Sequence, residues 1–182
     1  MNNKDNRRSQ ITEQLLRESL LKLLQTEEIH KISIRALCEH ANVNRSTFYK
    51  HYGSQYDLLK DMEEILVSQI EKQLTSNGEH ITGEESLINI LTFFKNNLDL
   101  CKMLINSNID PEFPKRMLYL PSILEKINLK ITDDNISNIS YFHDYILYGG
   151  YQMIKRWINN GCIESPVQMA QILNYAFQKL SF

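Results

Sequence analysis

The stretch Ser33–Ser54, SIRALCEHANVNRSTFYKHYGS, decides how the rest of the chain is read. Ile34, Leu37 and Cys38 fall at helical spacing, with Ala41 one turn beyond Leu37, so a short helix with a single apolar stripe is expected. Ser33 stands ahead of that stripe, where its hydroxyl can accept an orphan amide of the first turn. Asn42 tolerates the left-handed backbone of a tight turn. Val43 is apolar and would plug the angle between two helices. Asn44 can cap a second helix, Arg45 to Tyr52, in which Phe48 and Tyr52 lie four apart on one face. Arg45, Ser46, Tyr49 and Lys50 take the other side, and Gly53 offers a stop at the C-cap. Two short helices, a tight turn and a polar, cationic outer face on the second make a helix-turn-helix.

That outer face suits a major groove, which admits one α-helix and is read by donors such as Arg, Asn and Ser near the helix start. Arg45 and Ser46 are the candidates for reading bases, with Asn44 as the cap and close to a base. Thr47, Tyr49, Lys50 and His51, together with Ser33 and Arg35 at the start of the preceding helix, are the candidates for phosphate contacts. Such contacts fix register without reading sequence.

The segment NVNRSTFYKHYGSQYDLL resembles the recognition-helix signature of the TetR family of bacterial transcription regulators. The resemblance rests on Val43, Asn44, Thr47, Phe48, Tyr49, His51 and Tyr52, then on Leu58 and Leu59. Asn42 and Ser46 stand where that family often has Gly, and Gln55 where a Lys often opens the fourth helix. The resemblance implies an all-α protein: a three-helix head of residues 1–55, with its recognition helix over about 44–52, and a long helix leading into a helical regulatory and dimerisation body of residues 56–182. It also implies control of transcription, as a repressor, on double-stranded operator DNA.

Composition agrees with a small helical regulator. The chain has 182 residues and a net charge of −2. Residues 1–60 hold ten Lys/Arg and seven Asp/Glu, and residues 61–182 hold ten and fifteen, so +3 faces −5. A mildly basic head on an acidic body fits local DNA contact. No apolar run approaches the ~20 residues of a membrane span. MNNKDNRRSQ at the start lacks an apolar signal core, so a cytoplasmic protein is expected. Cys38, Cys101 and Cys162 are far apart in sequence and show no metal-ligand spacing, which fits reduced thiols and no metal or cofactor.

Around the motif the pattern is helical throughout. Ile11, Leu15, Leu16, Leu20, Leu23 and Leu24 predict a first helix over Arg7–Gln25 with a wide apolar face. Leu58, Leu59, Met62, Ile65, Leu66, Ile70 and Leu74 predict a long fourth helix, and Thr75 to Gly83 is the natural boundary. Helices are expected over Glu84–Asn96 and Leu98–Ile105, and from about Pro114 to Leu129 with a break at Pro121. Ile136–Asn159 predicts a long helix with Gly149 and Gly150 inside it. Each glycine costs ~1 kcal/mol against Ala, so the close approach of another helix is expected there. Gly161 ends that helix, and Ser165-Pro166-Val167-Gln168 opens the last one with a capping box. The segment from Tyr145 to Leu173 is also similar to the C-terminal domain of a TetR subgroup common in Firmicutes, which includes regulators like the dihydroxyacetone kinase operon activator.

The resemblance further implies a homodimer through the last two helices, about 136–159 and 166–180. A two-fold pair would read half-sites about 34 Å apart. It implies an effector, a small molecule or a partner protein, acting on the body. Phe94, Met103, Met117, His143 and Trp157 are the candidates for lining such a site, with His143 and Trp157 foremost because buried polar tips need partners. An enzyme is not expected. His143 and Asp144 are neighbours that point about 100° apart on a helix. HExxH, P-loop, GxSxG and Gly-rich phosphate motifs are missing from the sequence. The alternative of another class is a helical interaction module that has lost DNA binding.

Overall fold

The computed structural model describes residues 3–75, 83–106, 113–118 and 139–180. These are all-α: α1 (Asn3–Leu23), α2 (Ile34–Ala41), α3 (Arg45–His51), α4 (Gln55–Thr75), α5 (Gly83–Asn96), α6 (Leu98–Asn106), α7 (Phe113–Leu118), α8 (Ile139–Asn159) and α9 (Pro166–Leu180). A short 3-10 turn, Ile29–Lys31, precedes α2. The chain forms two compact units, residues 1–66 and 67–182.

In the first unit α1 packs on α2 and α2 on α3. Leu16, Leu20, Leu37, Phe48, Leu58 and Leu66 are fully buried. The buried face of α1 is narrower than its apolar stripe, because Ile11 and Leu15 are exposed. Ser19 is buried inside that packing, where its hydroxyl donates to the Leu37 carbonyl at 3.1 Å. This satisfies a polar group that burial would otherwise penalise.

The turn between α2 and α3 follows from its residues. Ser33 Oγ accepts from Ala36 N–H, capping α2. At the other end Asn42 takes φ 53° and ψ 42°. Val43 N–H then reaches back to the Cys38 carbonyl and Asn42 N–H to that of Glu39, a Schellman turn with Asn in place of Gly. Asn44 Oδ1 accepts from Ser46 N–H at 3.0 Å and opens α3.

Gly53 departs from its expected role. α3 ends at His51, with Tyr52 extended at φ −137°, and Gly53 is not among the positive-φ residues. Its lack of a side chain serves the next helix instead. A Cβ there would sit 2.9 Å from Asp57 Oδ2. The vacated space lets Ser54 Oγ accept from Asp57 N–H and donate to Asp57 Oδ2.

In the second unit α5 packs against α9, α8 against α6, α7 and α9, and α5 against α6. Its core includes Leu91, Phe94, Cys101, Leu104, Phe113, Ile146, Trp157, Ile158 and Leu173. Lys95 Nζ donates to the Cys162 carbonyl at 3.0 Å. Asn106 and Asn159 exchange side-chain amide hydrogen bonds at 2.6 and 3.1 Å.

The two mid-helix glycines differ. Gly150 is buried, and a Cβ there would meet Phe177 Cζ at 3.1 Å, so it admits the aromatic ring of α9. Gly149 is exposed, and a Cβ there would meet nothing within 4 Å among the described residues. α8 ends in a second Schellman turn at Gly161, φ 80°. Ser165 and Gln168 then close a reciprocal capping box: Ser165 N–H donates to Gln168 Oε1 at 2.9 Å, and Gln168 N–H to Ser165 Oγ at 3.2 Å. The helix expected beyond Pro114 is described only to Leu118. The break at Pro121 and the segment from Thr132 to Asn135 lie outside the described residues.

Candidate functional site

α3 divides cleanly. Phe48 and Tyr52 are buried, and Arg45, Ser46, Tyr49 and Lys50 are exposed. Tyr49 is 58% exposed and leans edge-on against Phe48, with ring centroids 5.5 Å apart. Asn44 Oδ1 also accepts from the Ser46 hydroxyl at 3.1 Å, so the cap orients the first polar side chain of the helix. Thr47 is half-buried at its edge.

Two open hollows flank Arg45. One joins Ser33 and Arg35 of the α2 start to Arg45, Tyr49 and Gln55, with His30 and Lys31 on its rim. The other joins Arg35, Glu39, Asn42 and Asn44 to Arg45. Ser33, Arg35, Asn44, Arg45 and Tyr49 thus share one surface. Arg35 is held there by Glu39, one turn on, with Nε 2.7 Å from Oε1. The hydrogen bond to Glu39 raises the Arg35 pKa. His30 and Lys31 are exposed and pair loosely with Glu28 at 3.4 and 3.8 Å. Sequence reading left both in a connecting segment. The available signal was a pair of basic residues one position removed from the Ser33 N-cap.

His51 stands apart from that surface. It is half-buried, and its Nδ1 lies 3.0 Å from Glu13 Oε1. Glu13 also meets Arg17 at 3.4 Å. Arg17 Nε donates to Asp61 Oδ2 at 2.7 Å, and Tyr52 Oη donates to the same oxygen at 2.8 Å. This chain of polar contacts ties the end of α3 to α1 and to the start of α4.

The second unit holds a partly open cavity of about 270 Å³. Ile70, Leu87, Ile90, Phe94, Met117, Ile146, Tyr151, Ile154, Leu173 and Phe177 line it, with Ser86 and Asn174. Of the five residues expected to line a ligand site, Phe94 and Met117 lie in the wall of this cavity. Met103 and Trp157 are not in the wall. Trp157 is buried, and its indole N–H donates to the Glu164 carbonyl at 3.2 Å, so its polar tip is satisfied within the chain. The His143 side chain lies outside the described residues. The serine in the wall was the sequence signal missed: Ser86, Ile90 and Phe94 form one stripe at four-residue spacing, with a hydroxyl on an otherwise apolar face.

Among the described residues no cluster of His, Cys, Asp and Glu has the makings of a metal site. No described helix is long and apolar enough to cross a membrane. The three cysteines are buried thiols. Burial, with Cys162 nearby, pushes the Cys101 thiol up to about 12.

Residues 16–62 match the family described as bacterial regulatory proteins, tetR family. Residues 81–179 match a transcriptional regulator C-terminal region. The chain is 24% identical over 162 residues to the uncharacterised HTH-type transcriptional regulator YxbF of Bacillus subtilis (strain 168), covering 86% of this chain but 42% of that relative's length. The crystal structure of a TetR transcriptional regulator from Streptococcus agalactiae 2603V superposes with a TM-score of 0.70 at 26% identity, over 97% of both chains. The dihydroxyacetone kinase operon activator DhaS shares the fold, with a TM-score of 0.62 at 18% identity over 92% of this chain and 94% of that one. With both matched regions falling on the helices described above, the chain belongs to the TetR family of transcriptional regulators.

Proposed function

We propose that the protein is a cytoplasmic, sequence-specific DNA-binding repressor that works as a homodimer, without enzymatic activity and without a cofactor. The observation that carries this reading is the exposed Arg45, Ser46, Tyr49 and Lys50 face of α3, set on a buried Phe48 and Tyr52 and flanked by Ser33 and Arg35. In this reading Arg45 and Ser46 reach base edges in the major groove. Tyr49, Lys50, Thr47, Ser33, Arg35 and Lys31 hold phosphates. His51, expected among the phosphate contacts, contributes in this reading only by holding the end of α3 against Glu13 of α1.

Dimerisation is assigned to α8 and α9. Tyr141, Tyr145, Tyr148, Ile172 and Tyr175 are exposed on these helices, an apolar surface that a second copy would cover. Regulation is assigned to an effector in the body cavity beside Phe94 and Met117. Its concave, mostly apolar lining favours a small molecule over a partner protein. Such an effector works only by binding the DNA-competent and DNA-released states unequally.

The test is fluorescence anisotropy on duplexes taken from DNA upstream of the protein's own coding region, repeated over a salt series. The expected result is tight binding to one palindromic segment, with log Kd rising linearly with log salt. Indifference to every duplex at low ionic strength would overturn the reading in favour of a helical interaction module.

A further inference from the structure

Ser86 is, among the described lining residues of the body cavity, a fully buried polar side chain whose hydroxyl has no partner. It is 1% exposed, and its hydroxyl has no hydrogen-bond partner among the described residues. Buried hydroxyls are nearly always paired, and an unpaired one in a native chain calls for a reason. Ser86 lies in the cavity wall on α5, one and two turns before Ile90 and Phe94, and the other walls carry Ile146 and Leu173. The hydroxyl therefore borders a mostly apolar space, shared with the Asn174 side chain, and among the described residues it pairs with no acceptor or donor.

The charge of the wall narrows the occupant. Among the described lining residues there is no Lys, Arg or His. The ionisable ones are Glu84, which is exposed, and Tyr151, whose pKa burial raises and whose hydroxyl donates to the Ile105 carbonyl at 3.5 Å. A carboxylate or phosphate entering this space would shed its hydration and meet no counter-charge. The volume, about 270 Å³, lies just under the ~300–1,000 Å³ typical of drug-sized ligands, so the occupant is small.

We propose that this cavity binds a small, uncharged, mostly apolar molecule carrying one hydroxyl or carbonyl group that pairs with Ser86 Oγ. The proposal names the chemical class for the effector site above, and its regulatory meaning rests on that reading.

Equilibrium dialysis of the full chain, without DNA, at pH 7 tests it with three probes of one shape: 2-naphthol, naphthalene and 2-naphthoate. The expected order is 2-naphthol bound about tenfold more tightly than 2-naphthoate, and more tightly than naphthalene. Ser86→Ala should weaken 2-naphthol about five- to tenfold and leave naphthalene unchanged. Equal affinity for the naphthoate anion, an unchanged 2-naphthol affinity in Ser86→Ala, or no uptake of any probe would each overturn the proposal. Uptake is read on the protein alone, so its failure leaves effector control by other chemistry standing. Uptake at Ser86 with no effect on DNA affinity would instead remove the regulatory reading and keep the site.

Discussion

Arg35 and Glu39, one turn apart on α2, form a 2.7 Å ion pair on the same surface as Arg45. Both side chains are well exposed, so water screens the pair and it adds little to stability. Its consequence is for the proposed binding. If Arg35 holds a phosphate, its guanidinium must leave Glu39 to do so, and the carboxylate itself would repel the duplex. Glu39→Gln should therefore tighten DNA binding about two- to fivefold at low salt, with the gain shrinking as salt rises. Anisotropy titrations of both proteins check this, and equal affinities would place Arg35 away from the backbone.

Arg45→Ala should cost about 1–3 kcal/mol of binding and relax preference among operator variants. Tyr49→Phe should instead weaken binding to all duplexes alike, because a lost phosphate contact carries no sequence information. Competition against a panel of single-base operator variants separates the two. A change of base preference in Tyr49→Phe would reverse the assigned roles.

Burial, then the hydrogen bond to Asp61, pushes the Tyr52 phenol up from its ordinary value near 10. The folded chain thus keeps a proton that the unfolded chain gives up. The associated stability is fully present below pH ~10 and is lost as pH climbs beyond it. Guanidinium denaturation should show stability falling more steeply between pH 9.5 and 11.5 in the wild type than in Tyr52→Phe. At pH 7 the same variant should be less stable by about 1–2 kcal/mol, the loss of a hydrogen bond to a carboxylate.

A Cβ at Gly149 meets nothing within 4 Å among the described residues, so a larger side chain there projects outward from α8. Gly149 is exposed on α8 beside Tyr145 and Tyr148, the surface assigned to the dimer. Gly149→Leu should leave the helical content intact and shift sedimentation velocity profiles from dimer toward monomer. An unmoved dimer would place the interface elsewhere.

Ser86→Ala removes an unpaired buried hydroxyl and should stabilise the ligand-free protein by about 1–2 kcal/mol, read as a raised denaturation midpoint. A lower midpoint would mean that the hydroxyl is satisfied within the folded chain.

Much of the head was legible because its signals are local. Ser33, Asn42 and Asn44 each act on backbone groups within five residues, so their caps and turn read directly from the sequence. Gly53 was misread because two local roles compete at that position. Tyr52 takes the C-cap position, and Gly53 leaves room for the Ser54–Asp57 cap of the next helix. Long-range pairings were not legible. Nothing near His51 in sequence signals that Glu13, 38 residues away, meets its ring. In the body, apolar periodicity marked Phe94 and Met117 but could not tell a cavity wall from ordinary core. Trp157 finds its acceptor in Glu164 across a turn, so its polar tip turned out to be a structural need met nearby.

The two sides of α3 have one further implication. Because Arg45, Ser46 and Lys50 are exposed while Phe48 and Tyr52 are buried, the side chains proposed to choose an operator can be exchanged without disturbing the scaffold that presents them. Descendants of such a gene are free to drift toward new promoters one surface codon at a time, and an engineer can follow the same route.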